Sequence, residues 1–345
     1  MFSVTNNRGF VPQSEQFEDR EMVGEDIQAY KVIEKGDFAY NPARINVGSI
    51  AKYEGNGKCM ISSLYVCFNT IDRIDRDWFM HLLKTPKMNF YYNLNGEGGV
   101  RVYLFYPNFA RIRSSYPSLA EQKKIAAMLS LIDERIATQS KIIEELKTLR
   151  GALLEKVFQV SNPTLEVGAI AHQTSERNKL CRYSNVLSVS NRFGFINQSE
   201  QFEDRNVASD DVRNYKVVHR GDFAYNPARI NVGSIAMLKS FESGIVSPMY
   251  ICFQVDDTIV DPSFFELFLE TKAFKDEMEI RLEGSVRRCL SFEALCEIHL
   301  PLPALLVQRS ISDKIGNISS KIKLEDRILR SYIRQKEWLL KQMFI

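Results

Sequence analysis

The chain has 345 residues, of which 45% are apolar and 26% are charged, and these values exclude an intrinsically disordered protein. No stretch is long and apolar enough to predict a transmembrane helix, and the start, MFSVTNNRGF, lacks the pattern of a secretory signal. The six cysteines form no C-x-x-C pair, which favours reduced thiols. We therefore expect a cytoplasmic protein that does not contact a membrane.

The net charge of +2 is unevenly distributed. It is about −1 over residues 1–110, +3 over 111–158, −5 over 159–297 and +5 over 298–345. Two segments therefore carry the positive charge.

The chain contains a long internal sequence repeat. The stretch GDFAYNPARINVGSIA at Gly36 to Ala51 returns unchanged at Gly221 to Ala236, and the match continues through QSEQFEDR upstream and through SSLYVCF and SPMYICF downstream. The offset between the copies is 185 residues up to Phe68 and Phe253, and one inserted residue then makes it 186 as far as Phe158 and Phe344. Nearly the whole chain is therefore a tandem duplication. Short apolar runs separated by NP, NG and DP turn signals predict a mixed α/β domain at the start of each copy.

A long helix follows each domain. Ser118 and Glu121 have the spacing of a capping box, and no proline interrupts the pattern up to Phe158. Apolar residues recur every three and four positions, as in a coiled coil. The predicted seam residues are Ile125, Leu129, Ile132, Ile136, Ile143, Leu146, Leu153 and Val157, and then Ile311, Ile315, Ile318, Ile322, Leu329, Tyr332, Leu339 and Met343.

A polar residue, Gln139 or Glu325, interrupts each seam at the same place. A helix of about 40 residues is roughly 60 Å long. Two such helices lying antiparallel would place the two domains at opposite ends. Ordinary packing in a helical bundle is the alternative.

No catalytic pattern is present in the sequence. NPAR resembles the N-P-P-[FY] stretch of adenine methyltransferases, but Arg44 and Arg229 stand where the aromatic residue belongs, and no Gly-rich cofactor loop precedes them. GEGGV lacks the ending of a phosphate-binding loop, and the four histidines have no spacing typical of metal ligands. The sequence therefore predicts binding rather than catalysis, with no cofactor or metal on this chain.

The repeated stretch contains the residue types that contact DNA. Arginine pairs with guanine, asparagine pairs with adenine, and serine, tyrosine and backbone amides contact phosphates. The candidate DNA-binding residues are Tyr40, Asn41, Arg44, Asn46, Ser49, Tyr225, Asn226, Arg229, Asn231, Ser234, Arg101 and Arg287. The alternative is a buried strand–turn–strand with Tyr40 and Ile45 in the core. The acidic balance of both domains argues against binding of DNA without a partner.

PSLAEQKKI (Pro117 to Ile125), its weaker copy from Pro303 to Ile311, and the order domain, helix, domain, helix resemble the specificity subunit of type I restriction–modification enzymes. The resemblance implies two target recognition domains, each reading half of a split double-stranded DNA site, on a spacer of two antiparallel coiled-coil helices. It also implies two modification subunits and restriction subunits as partners. These would hold S-adenosylmethionine, ATP and Mg²⁺.

We therefore predict an α+β fold with two pseudo-symmetric domains. Residues 1–115 form target recognition domain 1, 116–158 the central spacer helix, 159–301 target recognition domain 2 and 302–345 the C-terminal spacer helix. The alternative function is that of a truncated, inactive remnant that acts only as a coiled-coil scaffold for protein partners.

The two copies differ in two respects. TLEVGAIA, within residues 159–187, looks like the strand that opens a recognition domain, and copy one has no counterpart because Met1 aligns with Val186. Domain 1 is therefore expected to lack one or two strands and to leave a sheet edge open. Residues 52–60 and 69–97 diverge from 237–246 and 254–283, so we expect these regions to determine which bases are read.

Overall fold

The structure of the protein is a computed structural model that describes residues 1–16, 29–98, 102–159, 163–198, 211–284 and 287–344. The chain divides into two compact units. Unit 1 comprises Met1–Ile142 and Glu325–Ile345, and unit 2 comprises Ile143–Leu324. Both boundaries fall inside the long helices, so each unit combines one globular domain with parts of both helices.

Unit 1 is a mixed α/β domain. Its strands are β1 (Phe2–Thr5), β2 (Gly9–Pro12), β3 (Lys31–Ile33), β4 (Phe38–Tyr40), β5 (Ile50–Lys52), β6 (Cys59–Ile61) and β7 (Val66–Phe68). Its helices are α1 (Gln13–Gln16), α2 (Arg76–Leu83), α3 (Pro86–Asn95), α4 (Tyr106–Ala110) and the first part of α5 (Leu119–Gln159). Within the described residues, the strand orders are β2-β1-β6-β3 and β5-β4-β7.

Unit 2 repeats these elements. Its strands are β8 (Thr164–Glu166), β9 (Ala171–Thr174), β10 (Leu187–Ser190), β11 (Gly194–Asn197), β12 (Lys216–His219), β13 (Phe223–Tyr225), β14 (Ile235–Met237), β15 (Ser243–Val246), β16 (Ile251–Val255) and β17 (His299–Pro301). Its helices are α6 (Pro262–Glu270), α7 (Lys272–Arg281), α8 (Phe292–Cys296) and the first part of α9 (Leu305–Met343). The central sheet has the order β14-β13-β16-β9, while β17 pairs with β8.

The core of each unit lies between its central sheet and its helices. Phe38 and Tyr40 on β4, like Phe223 and Tyr225 on β13, are fully buried. Rings from the neighbouring strand and helix pack on them, as in the stacked pair Phe38–Phe68 with centroids 5.3 Å apart. The short apolar runs therefore form central strands because both of their faces are covered.

In both units the long helices pack antiparallel. In unit 1, Leu129 and Ile132 of α5 share a buried cluster with Leu339 near the end of α9. In unit 2, Leu154 of α5 shares a cluster with Ile315 of α9, and Arg150 Nε donates a hydrogen bond to Ser319 Oγ over 2.8 Å. In each unit, α5 and α9 therefore run in opposite directions.

The predicted seam residues are buried or half-buried in the structure with one exception. Leu153 is 37% exposed, and its neighbour Leu154 occupies the buried position instead. The prediction is wrong there because an α-helix with 3.6 residues per turn drifts against a 3.5-residue repeat as it lengthens.

The two polar interruptions of the seam are partners. Gln139 and Glu325 are both buried in unit 1. Gln139 Nε2 donates to the backbone carbonyl of Glu325 over 3.2 Å and also to its carboxylate. A buried polar pair of this kind fixes the register of two helices, because sliding either helix would leave polar groups facing apolar ones.

A second repeated polar residue attaches each helix to its domain. Gln122 is fully buried, accepts a hydrogen bond from the Asp75 amide over 2.7 Å, and donates to the carbonyls of Arg73 and Pro117. Gln308 makes the same three bonds to Asp261, Ile259 and Pro303 in unit 2. The glutamine of the PSLAEQKKI motif therefore links the first turn of the long helix to the loop that begins α2 or α6.

Candidate nucleic-acid interface

The repeated stretch forms a compact loop between β4 and β5. Asn41 Oδ1 accepts a hydrogen bond from the Ala43 amide over 3.0 Å, and the Arg44 carbonyl accepts one from the Ser49 amide over 3.0 Å. Between them, a single 3₁₀ turn ends at Gly48, whose φ of 93° lies in the left-handed region that favours glycine. Buried Ile45 attaches the loop to the core.

Unit 2 builds the same loop between β13 and β14. The Ala228 amide donates to Asn226 Oδ1 over 3.1 Å, the Ser234 amide donates to the Arg229 carbonyl over 3.1 Å, and Gly233 has a φ of 89°. The backbone geometry thus accounts for the asparagine at the start of the loop and the glycine near its end. These two positions of the repeated stretch therefore have a structural cause.

Four of the sequence-predicted DNA contacts lie in the core. Tyr40 and Tyr225 are fully buried, and the hydroxyl of Tyr225 donates to the Leu290 carbonyl over 3.2 Å. Burial raises the pKa of both phenols. Ser49 and Ser234 are also buried, and each hydroxyl donates to a carbonyl of the preceding hairpin. These four side chains support the loop from the core and do not reach its surface.

The other predicted residues face outward or sit in the turn. Arg44 and Arg229 are exposed, and no carboxylate among the described residues pairs with either guanidinium. Asn231 is exposed and Asn46 half-buried. The amides of Asn41 and Asn226 hold the turn, as described above. Arg287 is exposed outside the loop, and Arg101 lies outside the described residues.

A groove of about 510 Å³ lies beside the loop in unit 1. Its lining combines the loop with the β1–β2 turn and the start of α3, and includes Asn6, Asn7, Lys84 and Asn89. Asn46 Nδ2 donates to Asn93 Oδ1 of α3 over 3.1 Å. Desolvation of the ammonium, reinforced by the charge of Lys336, lowers the pKa of Lys84. Sequence reasoning did not find these groove residues individually, because they come together only in the fold.

The corresponding surface of unit 2 has different chemistry. The alignment of the copies places Arg192, Glu270, Lys275 and Glu279 where unit 1 has Asn7, Lys84, Asn89 and Asn93. Glu270 forms a two-pronged ion pair with Arg150, and Glu279 pairs with Arg288. The surface beside the loop is thus rich in amides in unit 1 and charged in unit 2, whereas the loop itself is unchanged.

The described residues contain no group of three or more His, Cys, Asp or Glu side chains arranged to hold a metal ion. The same part of the chain contains no helix that is both long and apolar enough to span a bilayer. All six cysteines are free, and burial raises the pKa of Cys252 to about 12.

No family model matches the chain. Two proteins of Methanocaldococcus jannaschii are similar in sequence. The type I restriction enzyme MjaVIII specificity subunit is 25% identical over 248 residues, which cover 63% of this chain and 57% of that protein. The MjaX specificity subunit is 22% identical over 331 residues, 87% of this chain and 75% of that protein. The match thus spans little more than half the length of the first relative.

Two solved structures share the fold. The type I restriction–modification S subunit from M. genitalium aligns with a TM-score of 0.57 at 16% identity, over 90% of this chain and 83% of that one. A chain from a structural study of assembly and conformational transition in the type I R-M system aligns with a TM-score of 0.54 at 16% identity, over 91% and 83%. The predicted fold class, α/β domains joined by long paired helices, is confirmed, as is the resemblance to specificity subunits.

Proposed function

We propose that this chain, which resembles type I restriction enzyme specificity subunits in sequence and fold, is the non-catalytic DNA-recognition subunit of such an enzyme. Each unit reads one half of a bipartite site in double-stranded DNA, and the helices set the spacing of the halves. One observation carries the proposal: both units present an identical rigid loop with an exposed arginine, beside a surface that differs between them.

The chemistry of the loop and groove fits base reading. An arginine held on a rigid turn can donate two hydrogen bonds to the edge of a guanine, and an asparagine amide matches the edge of an adenine. Because Arg44 and Arg229 occupy equivalent places, the loop supplies contacts common to both half-sites. The amide-rich groove of unit 1 and the charged surface of unit 2 distinguish one half-site from the other.

The helices offer surfaces for protein partners. In unit 1, Leu131 of α5 and Trp338 of α9 are each 60% exposed. In unit 2, Leu149 and Leu324 are 49% and 50% exposed. A protein partner that covered these side chains would remove their apolar surface from water, which favours binding. Two modification subunits dock here and, together with restriction subunits, supply S-adenosylmethionine, ATP and Mg²⁺ sites. They also supply the positive surface that the acidic domains lack.

Alanine at either loop arginine tests the proposal. We expect Arg44→Ala or Arg229→Ala to weaken specific DNA binding of the assembled complex by about 1 to 3 kcal/mol, because each removes a base contact. The dissociation constant is measured by titrating the complex into labelled DNA that carries its recognition site. Arg111→Ala, which removes an exposed arginine outside the loop, should leave affinity unchanged. Equal losses in all three variants would contradict base reading by the loop.

The second candidate function is a scaffold that binds protein but not DNA. The apolar side chains that the long helices leave exposed, among them Leu131 and Trp338, favour it, because they suit protein contacts and not DNA contacts. Co-expression with modification subunits, followed by sequencing of methylated adenines, separates the two. A bipartite methylated sequence supports the recognition subunit, whereas a stable complex that methylates nothing supports the scaffold.

A further inference from the structure

One asparagine of the repeated loop is held by a neighbouring helix in unit 1. Asn46 lies in the 3₁₀ turn between β4 and β5, and its Nδ2 donates a hydrogen bond to Asn93 Oδ1 of α3 over 3.1 Å. Asn93 is itself fixed, because its Nδ2 donates to the Asn89 carbonyl one turn earlier in α3 over 2.9 Å. The nitrogen of the Asn93 amide is therefore engaged along its own helix, and its oxygen accepts from the loop.

This bond limits what Asn46 can offer to a further partner. An asparagine side chain has two N–H donors and one carbonyl oxygen that accepts. The bond to Asn93 uses one N–H, so it leaves one donor and the carbonyl oxygen. The bond also restricts the rotation of the amide, which lowers the conformational entropy that is lost when a further partner binds.

One donor and one acceptor on the same amide match a single base edge in the major groove of DNA. Adenine presents the N7 acceptor and the N6 amino donor, whereas guanine presents two acceptors. Cytosine presents a donor, and thymine presents an acceptor and a methyl group. Of the four bases, only adenine can therefore accept from the remaining N–H and donate to the carbonyl oxygen at the same time.

The held amide lies on the surface to which DNA recognition is assigned above. Asn46 lines the groove of about 510 Å³ together with Asn6 and Asn7 of the β1–β2 turn. Arg44 is exposed two residues earlier in the same loop. The loop and the β1–β2 turn are in close contact, since a Cβ added at Gly48 would lie 3.2 Å from the Cβ of Asn6. Asn46 is therefore positioned next to the arginine proposed to contact a base.

Unit 2 has the same loop asparagine in different surroundings. Asn231 is the counterpart of Asn46 and is exposed, whereas Asn46 is half-buried. The counterpart of Asn93 is Glu279, whose carboxylate and backbone carbonyl both accept hydrogen bonds from the guanidinium of Arg288. The position that holds the loop asparagine in unit 1 is thus bonded to an arginine in unit 2.

Resting on the recognition function proposed above, we propose that Asn46 reads an adenine in the half-site of unit 1 and that Asn93 positions its amide for this contact. Asn93 touches no base and acts through Asn46. Because the position equivalent to Asn93 is bonded to Arg288 in unit 2, two loops of identical sequence contribute differently to the two half-sites.

The test compares the affinity of the complex for two DNA duplexes. Sequencing of methylated adenines first gives the bipartite site of the parent chain assembled with modification subunits. Asn46→Ala and Asn93→Leu should then each relax the same A·T pair in one half-site. The preference for the full site over a duplex with that pair changed to G·C should fall by at least about fivefold, the lower end of what a bidentate contact to a base contributes.

Two further variants separate positioning from a structural effect. Asn93→Asp keeps an oxygen that accepts from Asn46, so it should retain the preference even though its charge weakens binding to both duplexes. Leu94→Ala shortens a neighbouring side chain of α3 that is 65% exposed, and it should change neither the preference nor the methylated site. Asn93 is exposed, so the urea midpoint of Asn93→Leu should stay close to that of the parent.

Three results would overturn the proposal. The first is an Asn46→Ala complex that methylates the parent site with the parent preference. The second is relaxation at a G·C pair in place of an A·T pair. The third is an equal loss of preference in Asn93→Asp and Asn93→Leu, since the oxygen would then have no positioning role. A parent complex that methylates no site would instead contradict the recognition function, and this contact with it, so the two failures are distinguishable.

Discussion

A single glutamine joins each long helix to its domain. Gln122 and Gln308 are at most 1% exposed. Each makes two hydrogen bonds to the loop that begins α2 or α6 and a third to the proline carbonyl just before its own helix. An amide side chain is suited to this role because it has one acceptor and two donors in a fixed plane. The position within PSLAEQKKI is therefore explained without reference to DNA or a partner.

Gln122→Ala should lower the free energy of unfolding of unit 1 by about 2 to 3 kcal/mol, because it leaves one buried amide and two carbonyls without their partner. Urea unfolding followed by tryptophan fluorescence measures this, since Trp78 is buried beside the loop. Gln335→Ala, which removes an exposed glutamine of α9, is the control and should change little. Equal stability of the two variants would contradict the role assigned to Gln122.

At the residue scale, the sequence could predict the turn residues of the loop but not which of its side chains are exposed. Asn41 and Gly48 follow from the turn they form. Tyr40 and Ser49 have types common at DNA interfaces, yet both are buried. Tyr40 is buried because both faces of β4 are covered, and the hydroxyl of Ser49 turns inward to donate to the Val4 carbonyl. Alternation cannot reveal burial on both faces of so short a strand.

At the scale of elements, the pair of long helices was the most predictable feature. The seam follows from apolar spacing, and its polar interruption is visible at Gln139 and Glu325. That these two residues bond to each other depends on the antiparallel register, which spacing in one helix does not determine. The amide-rich groove of unit 1 also depends on contacts between segments that are distant in the chain, so no local pattern predicts it.

A double-mutant cycle tests the pair. Gln139→Leu removes the amide donor from a buried carboxylate and should destabilise unit 1 by about 1 to 3 kcal/mol. Adding Glu325→Leu should restore most of that loss, because two leucines continue the apolar seam. Urea unfolding of the four forms gives the coupling energy, expected at about 1 to 3 kcal/mol. Additive effects of the two substitutions would mean that the pair does not act as a unit.

At the scale of the whole molecule, the duplication separates what the two units share from what distinguishes them. The loop from Asn41 to Ser49 is identical to its copy in sequence and in backbone hydrogen bonding. The adjoining helices α3 and α7 differ in charge. A protein that reads two different half-sites needs this division, with a constant support and a variable surface.

The proposed function predicts that exchanging this variable surface changes one half of the recognised site. Lys84→Glu, Asn89→Lys and Asn93→Glu together give unit 1 the side chains of unit 2 at these positions. In cells that also express modification subunits, sequencing of methylated adenines should show one half of the site altered and the other retained. Lys124→Glu, an exposed charge change on α5, should leave the site unchanged. An unaltered site in the triple variant would exclude α3 from base reading.

The unit boundaries at Ile142 and Leu324 have a consequence for how the two copies depend on each other. Each domain is completed by helical turns that follow the other domain in the chain, so a cut between the copies would divide both units at once. The arrangement is that of a domain-swapped dimer whose two subunits have been fused. The fusion makes the exchange intramolecular, so it no longer depends on protein concentration.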